Sequence, residues 1–268
     1  MLAKCKIRVT IGVFLRMKLF IIKKKTVAVI SVLLAVLIAL IIGFTTSATA
    51  MAEPRRTPIY CVKTDEKKVA ISFDACWGAD KTMEILSILT QYDVVANYFC
   101  VSSWAEKYSD KLKALSDSGR VEVGTHSKTH SHMSKLNKAQ IEEELTSSSN
   151  IIKNITGKQV TLFRPPYGEY NNALIDVSFK LGLFPIQWDV DSLDWKNLSA
   201  NEISTRILTR VKEGSIVLMH NDGKHTVEAL PLIITGLKNK GYKFVFISDL
   251  IYKENYTIDN TGRQIPTE

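Results

Sequence analysis

Short apolar runs alternate with segments of helical length from Val69 onward, and this alternation constrains the fold more than any other feature. A β-branched run of roughly four to eight residues is typical of a buried strand, whereas the longer segments between such runs fit helices. We predict seven strands, at Val69–Phe73, Ala96–Val101, Val121–Gly124, Val160–Phe163, Phe184–Trp188, Ser215–Met219 and Lys243–Ile247.

Glycines stand at the predicted ends of five helices, each just before the next strand. Glycine tolerates the left-handed conformation that often closes a helix, so these positions are typical helix stops. Strands joined by helices pair in parallel, because the crossover returns the chain to the same end of the sheet. The five glycines are Gly119, Gly157, Gly182, Gly214 and Gly241.

Two architectures fit this pattern, a distorted (β/α)7 barrel and an open doubly wound sheet. The first predicted strand is followed neither by a glycine-rich dinucleotide loop nor by a phosphate loop, and this favours the barrel. Amphipathic spacing after Asn137 predicts one of the helices, and a capping box at Ser199–Glu202 predicts the start of another.

Polar residues able to do chemistry follow five of the predicted strands at their C-terminal ends. In an α/β barrel these ends meet at one rim, where active sites are built. We therefore expect the following side chains to lie close together: Asp74, His126, His130, Arg164, Asp189, Asp191, Asp194 and His220.

His126 and His130 have the spacing of a metal-binding pair. Residues four apart share a face of a helix or turn, so both imidazoles can reach one ion. All five histidines fall in two clusters, 126–132 and 220–225, and each cluster follows a strand. Solvated or capping histidines are the alternative, and we expect His132 to pack beside the site or to face solvent.

Asp74 ends an apolar strand, where a carboxylate needs a partner to stay charged. Arg164 can be that partner and hold the pKa of Asp74 low; a purely structural ion pair is the alternative. Pro165 and Pro166 then fix the backbone and remove two N–H groups, which leaves the Tyr167 N–H as a candidate oxyanion donor or as part of a rigid turn.

His220 directly follows the apolar strand Ser215–Met219. Its imidazole is therefore expected to enter the site from an apolar wall. A core histidine with satisfied hydrogen bonds is the alternative.

The first 50 residues differ in charge from the rest of the chain. They hold eight basic residues and no acidic one, and the other 27 basic residues are matched by 27 acidic residues. The net charge of +8 therefore belongs to the N-terminal segment. The remainder lacks the basic character of a nucleic-acid-binding protein.

An uncharged apolar run of 19 residues, 26–44, follows the cluster Lys23–Lys25. A helix of this length crosses a bilayer core of about 30 Å, and the lysines predict that the N-terminus stays in the cytoplasm. Ala48–Ala50 fits a signal-peptidase site, so a membrane anchor and a cleaved signal peptide are alternatives. Met17 is an alternative start for a more ordinary leader.

Five segments together resemble the motifs of the polysaccharide deacetylase family, the NodB-like domain of carbohydrate esterase family 4. The resemblance covers about residues 67–250, and the motifs follow the family's order. They are Ser72–Ala75, His126–His130, Arg164–Gly168, Asp191–Trp195 and Leu218–His220. The resemblance implies a NodB-like distorted barrel.

The family's metal ion and base have counterparts in this chain. The resemblance implies a divalent metal ion, usually zinc, held by His126 and His130. It implies that Asp74 is the general base and that Arg164 orients it.

The family's general acid and its substrate contacts also have counterparts in this chain. The resemblance implies that His220 is the general acid and that Asp194 tunes it. The implied substrate contacts are the Tyr167 N–H for the oxyanion and Trp195, Leu218 and Pro166 around the substrate.

One position departs from the family pattern. The family usually has a second Asp, a metal ligand, directly after the base, and this chain has Ala75. Asp80 is a candidate substitute. The segment Phe73–Gly78 resembles the subgroup linked to sporulation and cell-wall maturation in endospore-forming bacteria.

These motifs imply domain boundaries. We predict a leader at 1–50 with its transmembrane or signal helix at 26–44, a linker at 51–66, a polysaccharide deacetylase domain at 67–254 and a C-terminal tail at 255–268. Cys61, Cys76 and Cys100 are an odd number outside the leader, so buried or free thiols are expected, with one disulfide bridge as the alternative.

The implied activity is hydrolysis of N-acetyl groups on a cell-wall polysaccharide, with peptidoglycan as the leading substrate. The alternatives are a catalytically weak or inactive carbohydrate-binding relative and a hydrolase of another amide. Asp74 and His220 favour an enzyme, because a binding protein needs no acid–base pair. The expected partners are the polysaccharide and, through the N-terminal helix, the membrane, at an extracytoplasmic location. No nucleic-acid or protein partner is implied.

Overall fold

The computed structural model describes residues 23–48 and 54–267, with side chains described at 23–40 and 54–267. Contacts divide the chain into two compact units, Met1–Pro54 and Arg55–Glu268. Met17 and most of the predicted cleavage site lie outside the described residues.

The first unit contains one described helix, α1 (Lys24–Ala48), which includes the run predicted at 26–44. Its large apolar side chains are exposed along the described part, as at Leu33 and Leu40. No helix within the described residues is long and apolar enough to cross a membrane. Side chains 41–44 of the predicted run lie outside that description.

The second unit alternates strands with helices, as the sequence pattern predicts. Its strands are β1 (Cys61–Val62), β2 (Lys68–Ala75), β3 (Ala96–Cys100), β4 (Val121–Thr125), β5 (Leu162–Phe163), β6 (Phe184–Pro185), β7 (Val190–Asp191), β8 (Ser215–His220), β9 (Lys243–Phe244), β10 (Tyr256–Ile258) and β11 (Arg263–Pro266). Its α-helices are α2 (Thr82–Gln91), α3 (Ser102–Lys107), α4 (Ser109–Asp117), α5 (Lys138–Thr156), α6 (Asn172–Lys180), α7 (Ala200–Arg210), α8 (Thr226–Asn239) and α9 (Ile247–Leu250).

The parallel strands curl into a half-barrel. Pairing runs from β8 through β2, β3, β4 and β5 to β6. The chain then continues past a bridge between Ile186 and Ile59 into β7, which pairs in parallel with β8. No pairing joins β6 to β7 among the described strands, so the predicted (β/α)7 barrel is only partly formed. The helices pack against a core whose largest buried side chains include Trp104, Tyr98 and Phe73.

Local helix signals agree with the predictions. The capping box at Ser199 starts α7, and a second one at Asn137 starts α5. All five predicted helix-stop glycines have positive φ angles, between 69° and 85°.

The compact unit extends beyond the domain predicted at 67–254. β1 pairs with β8 and with β11, and β10 pairs with β11. Residues from the predicted linker and tail therefore belong to the sheet. Strands of two to four residues are too short for a periodic apolar pattern to reveal them.

The strand predicted at Lys243–Ile247 is wrong in its second half. Only Lys243 and Phe244 pair, with the start of β2, and α9 begins at Ile247. The N–H of Ile247 donates to Asn97 Oδ1 (3.0 Å) and that of Ser248 to Glu122 Oε2 (3.3 Å). These side chains serve the first N–H groups of a helix, which favours a helix over continued strand pairing.

Gly214 is expected to be more sensitive to substitution than the other helix-stop glycines. A Cβ at this position would lie 1.9 Å from the Val62 carbonyl oxygen, whereas a Cβ at Gly182 meets nothing within 4 Å. Both residues have positive φ, so Gly182→Ala should cost about 1 kcal/mol of unfolding free energy. Gly214→Ala should cost on the order of 3 kcal/mol, because the backbone of β1 must also move. Urea unfolding of both variants measures the difference, and equal losses would show that β1 does not seat against Gly214.

Candidate active site

The register between β2 and β8 sets the centre of the site. Asp74 and His220 are directly paired positions of these neighbouring parallel strands. Both stand at the C-terminal ends of their strands, as predicted. A carboxylate and an imidazole are therefore placed side by side by backbone pairing alone.

Asp74 forms a buried ion pair with Arg164, as the sequence predicts. Nη1 of Arg164 donates to Asp74 Oδ1 (2.8 Å), and Nη2 donates to the carbonyl of Gln187 (3.1 Å). The Arg164 side chain is fully buried, with its guanidinium 4.1 Å from the centroid of the Phe99 ring. Burial pushes the pKa of Asp74 upward, but Arg164 together with His126 and His220 outweighs it and holds that pKa below its ordinary value. The carboxylate therefore stays charged.

His126 is oriented by the backbone of Arg164. Its ring Nδ1 lies 2.7 Å from the Arg164 carbonyl oxygen, and its Nε2 lies 3.5 Å from Asp74 Oδ2. A carbonyl can only accept, so the proton is on Nδ1 and Nε2 keeps its lone pair. Burial lowers the pKa of His126 to about 4, which keeps the imidazole neutral. These are the properties of a metal-ligating histidine.

The loop from His126 to His130 is strained and firmly anchored. Ser127 and His130 have φ angles of 74° and 56°, which residues other than glycine rarely adopt. The Glu144 carboxylate accepts from the N–H groups of Lys128 and Thr129, and Ser127 Oγ accepts from the N–H of His130. This loop conformation places the ring centroids of His126 and His130 5.0 Å apart.

The donor atoms around this loop fit a divalent cation. Ligand atoms of Cys76, His126 and His130 all lie within 4.8 Å of one another. The ring Nδ1 of His130 is buried without a hydrogen-bond partner, which a bound ion would explain. Imidazole and thiolate are ligands that zinc prefers. Asp80, the substitute ligand expected from the sequence, is exposed and does not line the cavity.

Asp194 holds His220 through two hydrogen bonds, on the side away from the cavity. Its Nδ1 lies 2.8 Å from Asp194 Oδ1, while Asp194 Oδ2 accepts from the His220 N–H (2.8 Å) and from Thr226 Oγ1 (2.7 Å). Burial alone would lower the pKa of His220, but the hydrogen bond and charge of Asp194 raise it above its ordinary value. His220 is therefore suited to carry a proton at neutral pH.

The Arg164–Gly168 motif forms a tight turn over the cavity. Tyr167 has a φ of 60°, and the N–H groups of Gly168 and Glu169 donate to the carbonyls of Pro165 and Pro166. The Tyr167 ring is exposed and stacks on His132, with 4.3 Å between ring centroids. His132 thus packs beside the site and remains accessible.

These groups surround a cavity of about 490 Å³ at the C-terminal rim of the barrel. Its walls are formed by Asp74, Cys76, Trp77, His126, His130, Pro165, Tyr167, Gly168, Trp188, Asp191, Trp195, Leu218, His220 and Asp222. Arg164 and Asp194 are fully buried behind this wall. Pro166 is buried in the turn, and its neighbour Pro165 lines the cavity instead.

Asp189 does not belong to the site, contrary to its expected place at the rim. Its carboxylate accepts from Ser215 Oγ (2.7 Å) and from the N–H of Ile216 (2.8 Å) at the start of β8. β7 begins at Val190, so Asp189 precedes a strand and lies toward the other end of the barrel.

Sequence reasoning missed Cys76 and Trp77 as cavity residues. Both follow Asp74 closely, and that proximity was the available signal. Trp188 was also missed, because it stands within a predicted strand rather than after one. Its ring centroid lies 5.6 Å from the Arg164 guanidinium.

Comparisons with known proteins show which family this chain resembles. The family described as polysaccharide deacetylase matches residues 62–186. The uncharacterized protein YlxY of Bacillus subtilis is 31% identical over 194 residues, 72% of this chain and 60% of that protein. The peptidoglycan-N-acetylglucosamine deacetylase of Bacillus cereus is 31% identical over 190 residues, 69% of each chain.

A solved structure adds a relative of another kind. BA3943 from Bacillus anthracis, described as a pseudoenzyme of carbohydrate esterase family 4, superposes with a TM-score of 0.70 at 33% identity, over 72% of this chain and 68% of that one. A mutant of BA3943 with restored enzymatic activity superposes equally well, with a TM-score of 0.70 at 34% identity.

His126→Ala should weaken zinc binding by at least about 100-fold, because it removes an oriented donor from the site. His225→Ala is the matched control, since His225 stands at the start of α8 and does not line the cavity. Calorimetric zinc titration and elemental analysis of the purified variants measure the effect. Unchanged zinc affinity in His126→Ala would contradict the assignment of this imidazole as a ligand.

Proposed function

The chain belongs to the polysaccharide deacetylase family, carbohydrate esterase family 4, and we propose that it hydrolyses N-acetyl groups on peptidoglycan outside the cytoplasm. One observation carries the proposal. A charged carboxylate, Asp74, lies between a neutral imidazole, His126, and a protonatable imidazole, His220. Separate partners, Arg164 and Asp194, hold the carboxylate and the acid in these different states.

His126 and His130 would hold the metal ion of the family. A zinc ion there would supply Lewis acidity, which activates both the amide carbonyl and a water molecule. An amide is a poor electrophile, so hydrolysis needs this help together with an acid and a base.

Asp74 is the proposed base. It is charged, it lines the cavity, and its Oδ2 faces His126 while its Oδ1 is occupied by Arg164. One oxygen is therefore positioned and the other is directed toward the metal site. From there it can take a proton from the attacking water.

His220 is the proposed acid, on the opposite side of Asp74. Its Nδ1 is bonded to Asp194, which leaves Nε2 to donate a proton to the departing amine. Arg164 and Asp194 act as positioning residues, because they are buried: Arg164 acts through Asp74 and His126, and Asp194 acts through His220.

The remaining predicted contacts complete the site in this proposal. The Tyr167 N–H would donate to the oxyanion of the tetrahedral intermediate. Leu218 and Trp195 line the cavity and would enclose the acetyl methyl. Pro166 would contribute by fixing the turn rather than by touching substrate, because it does not line the cavity.

Exposed aromatic rings around the cavity support a glycan substrate. Trp77, Tyr167 and Trp195 are 68%, 57% and 56% exposed and line the same opening. Such exposed apolar surface is typical of a ligand-binding groove. Flat rings beside an acid–base pair suit stacking of sugar rings with an N-acetyl group inserted between them.

The N-terminal segment supports an extracytoplasmic location. Helix α1 begins within a lysine cluster and exposes its apolar side chains along its described length. We infer that this segment directs export, as a signal or as a membrane anchor, and thereby brings the barrel to the cell wall.

A catalytically inactive carbohydrate-binding protein is the second candidate. Two observations favour it: Ala75 stands where the family usually has a metal-binding Asp, and the BA3943 pseudoenzyme has a similar fold. The aromatic rim would serve binding without catalysis.

Acetate release from purified peptidoglycan distinguishes the two candidates. With added zinc, the protein should release acetate, and Asp74→Asn should reduce the rate by about 10²–10⁴-fold while zinc stays bound. Loss of the rate in Asp74→Asn with unchanged zinc content identifies the base. Tight binding to peptidoglycan without acetate release by the wild-type protein would establish the binding protein instead.

Asp194→Asn should move the alkaline limb of the pH–rate profile to lower pH. His220 must be protonated to act as the acid, so activity is present below its raised pKa and is lost as the pH rises through it. Removing the charge of Asp194 lowers that pKa. KM should change little, because Asp194 does not line the cavity. Asp189→Asn is the control, since its carboxylate bonds the start of β8 and should leave the limb in place. An unshifted limb in Asp194→Asn would contradict the role of His220.

A further inference from the structure

At position 75, where the family usually has a metal-binding Asp, this chain has a residue that cannot bind a metal ion. Ala75 is fully buried and pairs in register with Cys100 on β3. Its methyl group belongs to the apolar core. The next residue, Cys76, is the first beyond β2, and it lines the cavity that Asp74 also lines.

We infer that Cys76 supplies the third protein ligand of the metal site and replaces the absent carboxylate. This inference rests on the proposed function and deepens it, because it names the ligand set and the class of metal.

The geometry requires only a small adjustment. In a tetrahedral zinc site with bonds of about 2.1–2.3 Å, neighbouring ligand atoms lie roughly 3.5 Å apart. The three candidate ligand atoms already lie within 4.8 Å of one another. Contraction around an ion therefore moves the furthest pair by about 1 Å.

The backbone around Cys76 is fixed on both sides. The Ala75 carbonyl accepts from the N–H of Val101 (3.1 Å). The Gly78 carbonyl accepts from Trp104 Nε1 (2.7 Å) and from Asn221 Nδ2 (3.0 Å). Cys76 is thus presented to the cavity by two anchored neighbours.

A thiolate suits the chemistry of the site. It brings one negative charge, as the carboxylate would, and binding forms one sulfur–metal bond while the thiol proton passes to solvent. Thiolate with two imidazoles favours zinc or cobalt over magnesium or manganese. Three protein ligands leave the fourth tetrahedral position open for a water or a substrate oxygen.

Cobalt(II) titration of the full-length protein tests the inference directly. A thiolate ligand gives a sulfur-to-cobalt charge-transfer band in the near-ultraviolet. The band should be present in the wild type and absent in Cys76→Ser, and zinc affinity in Cys76→Ser should fall by at least about 100-fold. Cys61→Ser is the matched control, because Cys61 is also a half-buried free thiol but lies on β1. It should keep both the band and the affinity.

Cys76→Asp is the control for the case in which Cys76→Ser loses zinc only because it fails to fold. It should bind zinc more tightly than Cys76→Ser, because a carboxylate restores a charged ligand, yet it should show no thiolate band. Absence of the band from the cobalt-loaded wild type, or its persistence in Cys76→Ser, overturns the inference. If the wild type shows the band but releases no acetate, the ligand set stands and the proposed deacetylation fails. If acetate release depends on zinc while the band is absent, the proposed deacetylation stands and Cys76 is not a metal ligand.

Discussion

The buried ion pair between Arg164 and Asp74 is the interaction on which the rest of the site depends. A carboxylate at the end of an apolar strand would otherwise take up a proton, and a lone buried guanidinium would be equally unfavourable. Arg164 acts twice, because its side chain holds Asp74 and its carbonyl oxygen fixes the ring of His126. One residue therefore sets the charge of Asp74 and the tautomer of His126.

The barrel converts this pair into a site by register. Parallel pairing of β2 with β8 puts His220 beside Asp74, and the turn after β5 carries Arg164 to the same rim. Burial then pushes the two imidazoles in the same direction, toward neutrality. Asp194 reverses that effect for His220 alone, so two histidines close to one carboxylate acquire different proton affinities. The two imidazoles differ in their partners and not in residue type, and this difference separates the proposed ligand from the proposed acid.

Much of this arrangement could be predicted, because it follows from alternation and from strand ends. The strand order places Asp74, His126, Arg164 and His220 where the sequence pattern expects them. Features that depend on exact register escaped prediction. Asp189 lies one residue before β7 rather than after a strand, and the second half of the predicted strand at Lys243–Ile247 becomes a helix because Asn97 and Glu122 receive its N–H groups. Cys76 was missed because a single cysteine has no spacing signal, and only the folded loop brings it to two histidines.

Zinc-edge anomalous diffraction from crystals of the zinc-loaded protein tests the central claim most directly. The claim is that His126 and His130 hold a metal ion beside Asp74, with His220 on the far side of that carboxylate. It predicts an anomalous peak about 2.0–2.1 Å from one nitrogen of each of these two imidazoles, on the side that faces Asp74. An anomalous peak elsewhere on the protein, with no peak at either imidazole, would contradict the claim.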